Sequence, residues 1–205
     1  MGNAEGLSAK GAAPWPGAPA PLSLRGLDGH TAQHSRRVAW LAVRLASAVG
    51  EGPRNLELIR TGALLHDIGK ATVPPSILNK PGALTPDERF RIHAHPAAGE
   101  ALASAMGLPE TVCRIVRHHH ERWDGSGYPD GLEGGEIPRH ARLVCIADVY
   151  DALTTRRSYR QAPWAERDVL ATMEGEAGGL FDPELLAVFL GVIGEEFPAR
   201  RQFVA

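Results

Sequence analysis

The apolar residues of this chain recur at helical spacing, and the resulting stripes carry histidines and aspartates at positions where a core helix would carry leucines. Val38, Leu41, Leu45 and Val49 form one stripe, and His34 lies four residues before Val38 on the same face. Leu56, Ile59, Ala63 and His66 form a second, opened by Pro53 at a first helical position. Thr85-Pro86-Asp87-Glu88 reads as a helix start, with Thr85 as cap and Glu88 closing a capping box. Pro96 disfavours helical geometry in the residue before it, so that helix is expected to end near His95, with His93 facing solvent. Val112, Ile115 and Val116 continue into His119 and His120, while His118 falls off the stripe. Pro138 opens a long helix whose inward positions are Ala141, Val144, Cys145, Asp148 and Ala152. Further helices are expected near Trp164 to Glu176 and after the cap Asp182-Pro183. Strand signals are nearly absent, which predicts an all-α chain folded as a single compact helical domain.

Length and charge narrow the function classes. A chain of 205 residues with 43% hydrophobic residues holds one well-cored domain and is short for two. The net charge of -2 gives no overall field for nucleic acid, so an anionic ligand would need a local site. No apolar run is long enough for a membrane span, and the amino terminus lacks a basic start followed by an apolar block. Cys113 and Cys145 fall within apolar helical patterns and read as small core residues of a cytoplasmic protein. Residues 1 to 25 are rich in Gly, Ala and Pro without apolar periodicity and are expected to be a disordered leader to a domain spanning 26 to 205.

The chemistry gathers around His66-Asp67, which closes an apolar helix directly before a turn at Gly69. Taken singly, the pair reads equally well as a hydrogen-bonded cap, and His34 as a core histidine bonded to a carbonyl. Taken together, His34, His66, Asp67, His95, His119, His120 and Asp148 are seven such residues at interior positions or helix ends, and single explanations do not cover them all. Imidazoles and carboxylates without thiolate suit iron or manganese better than structural zinc. Seven side chains are too many for one ion, so two ions about 3.5 to 4 Å apart are expected, bridged by Asp67. The expected partition gives His34, His66, Asp67 and Asp148 to one ion and Asp67, His95, His119 and His120 to the other. A Gly-rich loop with two aromatics, from Glu121 to Gly131, follows the last of these histidines and reads as functional.

Four stretches together resemble a known family. His66-Asp67-Ile68-Gly69-Lys70, Ile77-Leu78-Asn79-Lys80-Pro81-Gly82, His118-His119-His120-Glu121-Arg122-Trp123-Asp124-Gly125-Ser126-Gly127-Tyr128-Pro129 and Ala147-Asp148-Val149-Tyr150-Asp151-Ala152-Leu153 are similar to the HD-GYP subgroup of the HD phosphohydrolases. The likeness covers roughly 27 to 195. It implies an all-helical HD-type domain that hydrolyses cyclic di-GMP to linear pGpG or on to GMP by a metal-bridging hydroxide. It implies catalytic roles for His66, Asp67 and Lys70, the seven metal ligands already selected, and substrate contacts at Lys70, Tyr128, Arg157 and Arg160. Family members with a third metal carry a glutamate where this chain has His30, so two ions are expected, His30 remaining able to ligate a softer one. Family members are commonly fused to sensor or receiver domains. Control of this chain is therefore expected from expression, from the ligand, or from a partner such as a diguanylate cyclase, a separate sensor domain or a second copy. The rival classes are another HD-type nucleotide phosphohydrolase, which would have little use for the Gly-Tyr-Pro loop, and a non-enzymatic cyclic di-GMP receptor, whose usual mark would be a lost ligand.

Overall fold

The computed structural model describes residues 29–155 and 164–194, excluding the side chains of 29–31. The expected leader, Arg157, Arg160 and the His30 side chain lie outside the described residues. Nine helices occur among those described: α1 (Gly29–Ala48), α2 (Pro53–Leu65), α3 (Pro75–Leu78), α4 (Pro86–His93), α5 (His95–Ala105), α6 (Glu110–His118), α7 (Arg139–Thr154), α8 (Glu166–Gly175) and α9 (Pro183–Gly194). Two 3₁₀ turns, Ile68–Thr72 and Gly134–Glu136, join them. No strand is formed among the described residues, and only isolated bridges link Asp124 to Glu133 and Ala177 to Phe181. No helix there is long and apolar enough to cross a membrane.

Local chemistry sets the helix starts. Pro53 opens α2, and Thr85 caps α4 in a full capping box with Glu88. Asp182 caps α9, its Oδ1 accepting from the backbone N–H groups of Glu184 and Leu185. The proline-rich segment after Val73 contains one short helical turn, α3, with Pro75 in its first turn. At the next junction α4 ends at His93, two residues before the expected place, and His95 opens α5. Ala94 keeps φ −77° and ψ −13°, and Pro96 occupies the first turn of α5, where a missing N–H leaves no bond unmade. The ring of His95 is thereby aimed from a helix start.

Two apolar clusters make the core. The larger joins α1, α2, α7, α8 and α9 through Val38, Leu45, Ile59, Val144, Met173 and Phe189. The smaller joins the end of α2 to α5 and α6 through Leu65, Ala103, Val112 and Val116. Ala63 belongs to the first cluster and Leu65 to the second, so α2 delivers His66 where the two meet. Cys113 and Cys145 are buried free thiols, as read from their helical patterns.

Gly69 fixes how closely that point approaches α5. A Cβ there would lie 1.9 Å from the carbonyl oxygen of His95 and 2.5 Å from the backbone nitrogen of Gly99. Neither backbone group can give way, so the 3₁₀ turn after His66-Asp67 rests against the start of α5 only because Gly69 lacks a side chain. Gly69→Ala is expected to cost about 3 kcal/mol or more, read as a fall in Tm. An unchanged Tm would contradict this account of the packing.

Candidate metal centre

The seven residues expected at the site come together. One ligating atom from each of Asp67, His95, His119 and His120 lies within 4.8 Å of the others, and the same holds for His34, His66 and Asp148. Asp67 faces both groups. Its Oδ1 lies 3.3 Å from His95 Nε2 and 4.0 Å from His119 Nε2, and its Oδ2 lies 3.3 Å from His66 Nε2. His34 Nε2 lies 3.0 Å from Asp148 Oδ1. The imidazoles of His34 and His66 meet edge to face, as do those of His66 and His119.

Backbone carbonyls orient the rings. Nδ1 of His66, His95 and His119 donates to the carbonyls of Ala63, Ile92 and Val116 at 2.7, 2.7 and 2.8 Å, which turns each Nε2 toward the centre. His34 uses a carboxylate instead. Its Nδ1 lies 2.7 Å from Asp151 Oδ2, and Arg37 grips the same carboxylate through Nε at 2.5 Å and Nη2 at 3.0 Å. Asp151 is buried at 2% exposure on the helix that carries Asp148. It had no role in the sequence reading, although two signals pointed to it: it stands one turn after Asp148, and Arg37 one turn after His34.

The charge balance of the centre calls for cations. Burial works against the ionised form of Asp67, but His66 and Lys70 outweigh it and hold the carboxyl well below its usual range. Burial likewise opposes the charge on Asp148, and His34 and His66 more than offset it. Burial pulls the His34 imidazole down, yet the carboxylates of Asp148 and Asp151 raise it to about 9. At His119 and His120 burial dominates, pushing His120 down to about 3 and keeping both rings neutral lone-pair donors. His66 Nε2 and Asp67 Oδ1 are buried and make no hydrogen bond, a costly arrangement for polar atoms unless a cation takes their lone pairs. The donor set and its unpaired atoms therefore fit divalent metal ions, which would displace the protons that the carboxylates draw to His34 and His66.

Lys70 is held at this centre, its Nζ 2.6 Å from Asp67 Oδ2. The Gly-Tyr-Pro loop folds back over the end of α6, where the Tyr128 N–H donates to the carbonyl of His120. The Tyr128 ring stacks on His120 at 4.9 Å and on His93 at 4.0 Å. His93 is exposed as expected from the sequence, but its stacking role was not foreseen. Two of the loop glycines are required for different reasons. Gly125 has φ +75°, whereas Gly127 is needed because a Cβ there would sit 2.3 Å from the backbone nitrogen of Arg122. Glu121, 2% exposed, anchors the loop by accepting from the N–H groups of Asp130 and Leu132. His118, read as off the apolar stripe, is buried, because Asp130 of the returning loop covers that side of α6.

These contacts predict the effect of removing the charge that orients His34. Asp151→Asn is expected to weaken binding of a divalent ion about 10- to 100-fold, measured by competition with a chromophoric chelator at unchanged helicity. Unchanged affinity would contradict the orienting role.

Known proteins place the arrangement in a class. A family model described as HD domain matches residues 26–185, and the chain belongs to that family. Its likeness to the HD-GYP subgroup, drawn above from the motifs, agrees with the proteins it matches. It is 41% identical over 165 residues to the cyclic di-GMP phosphodiesterase response regulator RpfG of Xanthomonas campestris, covering 80% of this chain and 43% of that protein. It is 38% identical over 162 residues to the 3'3'-cGAMP-specific phosphodiesterase 2 of Vibrio cholerae, covering 78% of this chain and 31% of that protein. The chain thus spans less than half the length of these curated relatives. Among solved structures, Bd1817, a HDG"Y"P protein from Bdellovibrio bacteriovorus, aligns with a TM-score of 0.66 at 23% identity, covering 80% of this chain and 52% of that one, a likeness of fold.

Proposed function

We propose that this chain is a metal-dependent phosphodiesterase that hydrolyses cyclic di-GMP to pGpG or on to GMP. The observation that carries the reading is the division of seven buried or half-buried donors into two groups, with one carboxylate, Asp67, facing both. Two-ion phosphoester hydrolases need this arrangement. The proposal gives one ion to His34, His66, Asp67 and Asp148 and the other to Asp67, His95, His119 and His120, with iron or manganese as the metal. When bound, such ions supply Lewis acidity toward phosphoryl oxygens and make water at the centre a stronger acid.

The chain's own residues do the rest. Lys70 sits against Asp67 and offers its ammonium to charge developing on the phosphodiester oxygens. Asp151 and the backbone carbonyls hold the imidazoles in fixed tautomers, so no reorganisation is needed during the reaction. Tyr128 packs over His120 at the edge of the centre, where burial pushes its phenol pKa up and keeps the hydroxyl protonated as a donor. Arg157 and Arg160, which follow α7 in sequence, are the proposed distal phosphate contacts. A second cyclic dinucleotide deserves equal trial, because the Vibrio cholerae relative is named as specific for 3'3'-cGAMP.

The test is protein purified anaerobically, loaded with Fe(II) or Mn(II), and assayed on both cyclic dinucleotides with chromatographic identification of products. Asp67→Ala is expected to lose both ions and all turnover. Full metal content in that variant would contradict the two-ion centre. Lys70→Ala is expected to lower turnover with metal content intact, and loss of metal there would remove Lys70 from its role. Tyr128→Ala is expected to keep both ions and cleavage of bis(p-nitrophenyl) phosphate while losing cleavage of cyclic di-GMP. An unchanged ratio of the two activities would instead favour a phosphohydrolase with no preference for cyclic dinucleotides.

A further inference from the structure

We propose that the exposed side of the His93 imidazole, stacked on Tyr128 at the last turn of α4, is a platform for one purine base of the substrate. This rests on the cyclic dinucleotide reading above. The His93 and Tyr128 rings lie 4.0 Å apart and 3° from parallel, and Tyr128 in turn lies 4.9 Å from His120. The three rings run from an inner histidine of the centre to an exposed one. His93 therefore has its plane fixed by one neighbour while the residue itself remains open to solvent.

A base stacks well on such a surface because the ring is already oriented and loses little freedom on binding. Two ring-to-ring steps, of 4.0 and 4.9 Å, lead from His93 back to His120, so a base on His93 would lie one further step out from the centre on the same stack. Phe90, one turn earlier on α4, is 77% exposed.

The platform separates from a mere brace for Tyr128 by shape. Leucine replaces the brace, whereas only a ring replaces the platform. His93→Ala and His93→Leu are expected to raise KM for cyclic di-GMP about tenfold with little change in kcat, and His93→Phe to stay near wild type. All three should keep wild-type metal content and cleavage of bis(p-nitrophenyl) phosphate. A cyclic dinucleotide carrying 2-aminopurine gives a readout independent of turnover: its fluorescence should be quenched on binding wild type and His93→Phe, and less so on His93→Leu. Wild-type KM in His93→Leu, or a parallel loss of metal and of small-diester cleavage in His93→Ala, overturns the platform alone. Wild-type protein that cleaves the small diester but neither binds nor cleaves a cyclic dinucleotide overturns the functional reading and the platform with it.

Discussion

The buried carboxylate of Asp67 is the constraint on which the rest of the structure depends. It is 3% exposed, and its oxygens look in different directions, one toward His95 and His119 and the other toward His66 and Lys70. An ionised carboxylate in that position has to be matched by positive charge or the domain bears a large desolvation cost. Lys70 supplies part of that charge. The unpaired Oδ1 and the unpaired Nε2 of His66 mark where the remainder belongs.

From that point outward the chain spends its rigid elements on aiming side chains. α2 ends where the two apolar clusters meet, Gly69 lets the following turn touch the backbone of α5, and the immediate start of α5 after α4 turns His95 inward. The Asp151 carboxylate, clamped by Arg37, fixes His34 on the opposite side. Glu121 and the missing side chain of Gly127 hold the loop so that Tyr128 lies over His120. The contacts of Asp151 with His34 and Arg37, and of Gly69 with the start of α5, join elements distant in sequence, whereas the loop that carries Tyr128 is held by contacts near it in the chain.

Much of this was legible in the residues because helical periodicity says which face of a helix points inward. His34, His66, His119 and Asp148 each continue an apolar stripe, and Thr85 and Pro96 bracket the segment that presents His95. Periodicity says nothing about what packs over a face from elsewhere, which is why the burial of His118 beneath Asp130 and the stacking of His93 on Tyr128 were missed. Asp151 escaped for another reason. The inward stripe read for α7, Ala141, Val144, Cys145, Asp148 and Ala152, leaves Asp151 out, whereas the folded helix is buried on nearly all sides, Asp151 included. The reason for Gly127 was likewise invisible, since close approach to the Arg122 backbone is a property of the folded loop.

The central claim is that one carboxylate joins two ion positions within a single helical centre. Anomalous diffraction from crystals loaded with manganese, collected on either side of the metal absorption edge, tests it most directly. The account predicts two peaks about 3.5 to 4 Å apart, one among His34, His66 and Asp148, the other among His95, His119 and His120, with Asp67 between them. A single peak, or peaks away from Asp67, would contradict it.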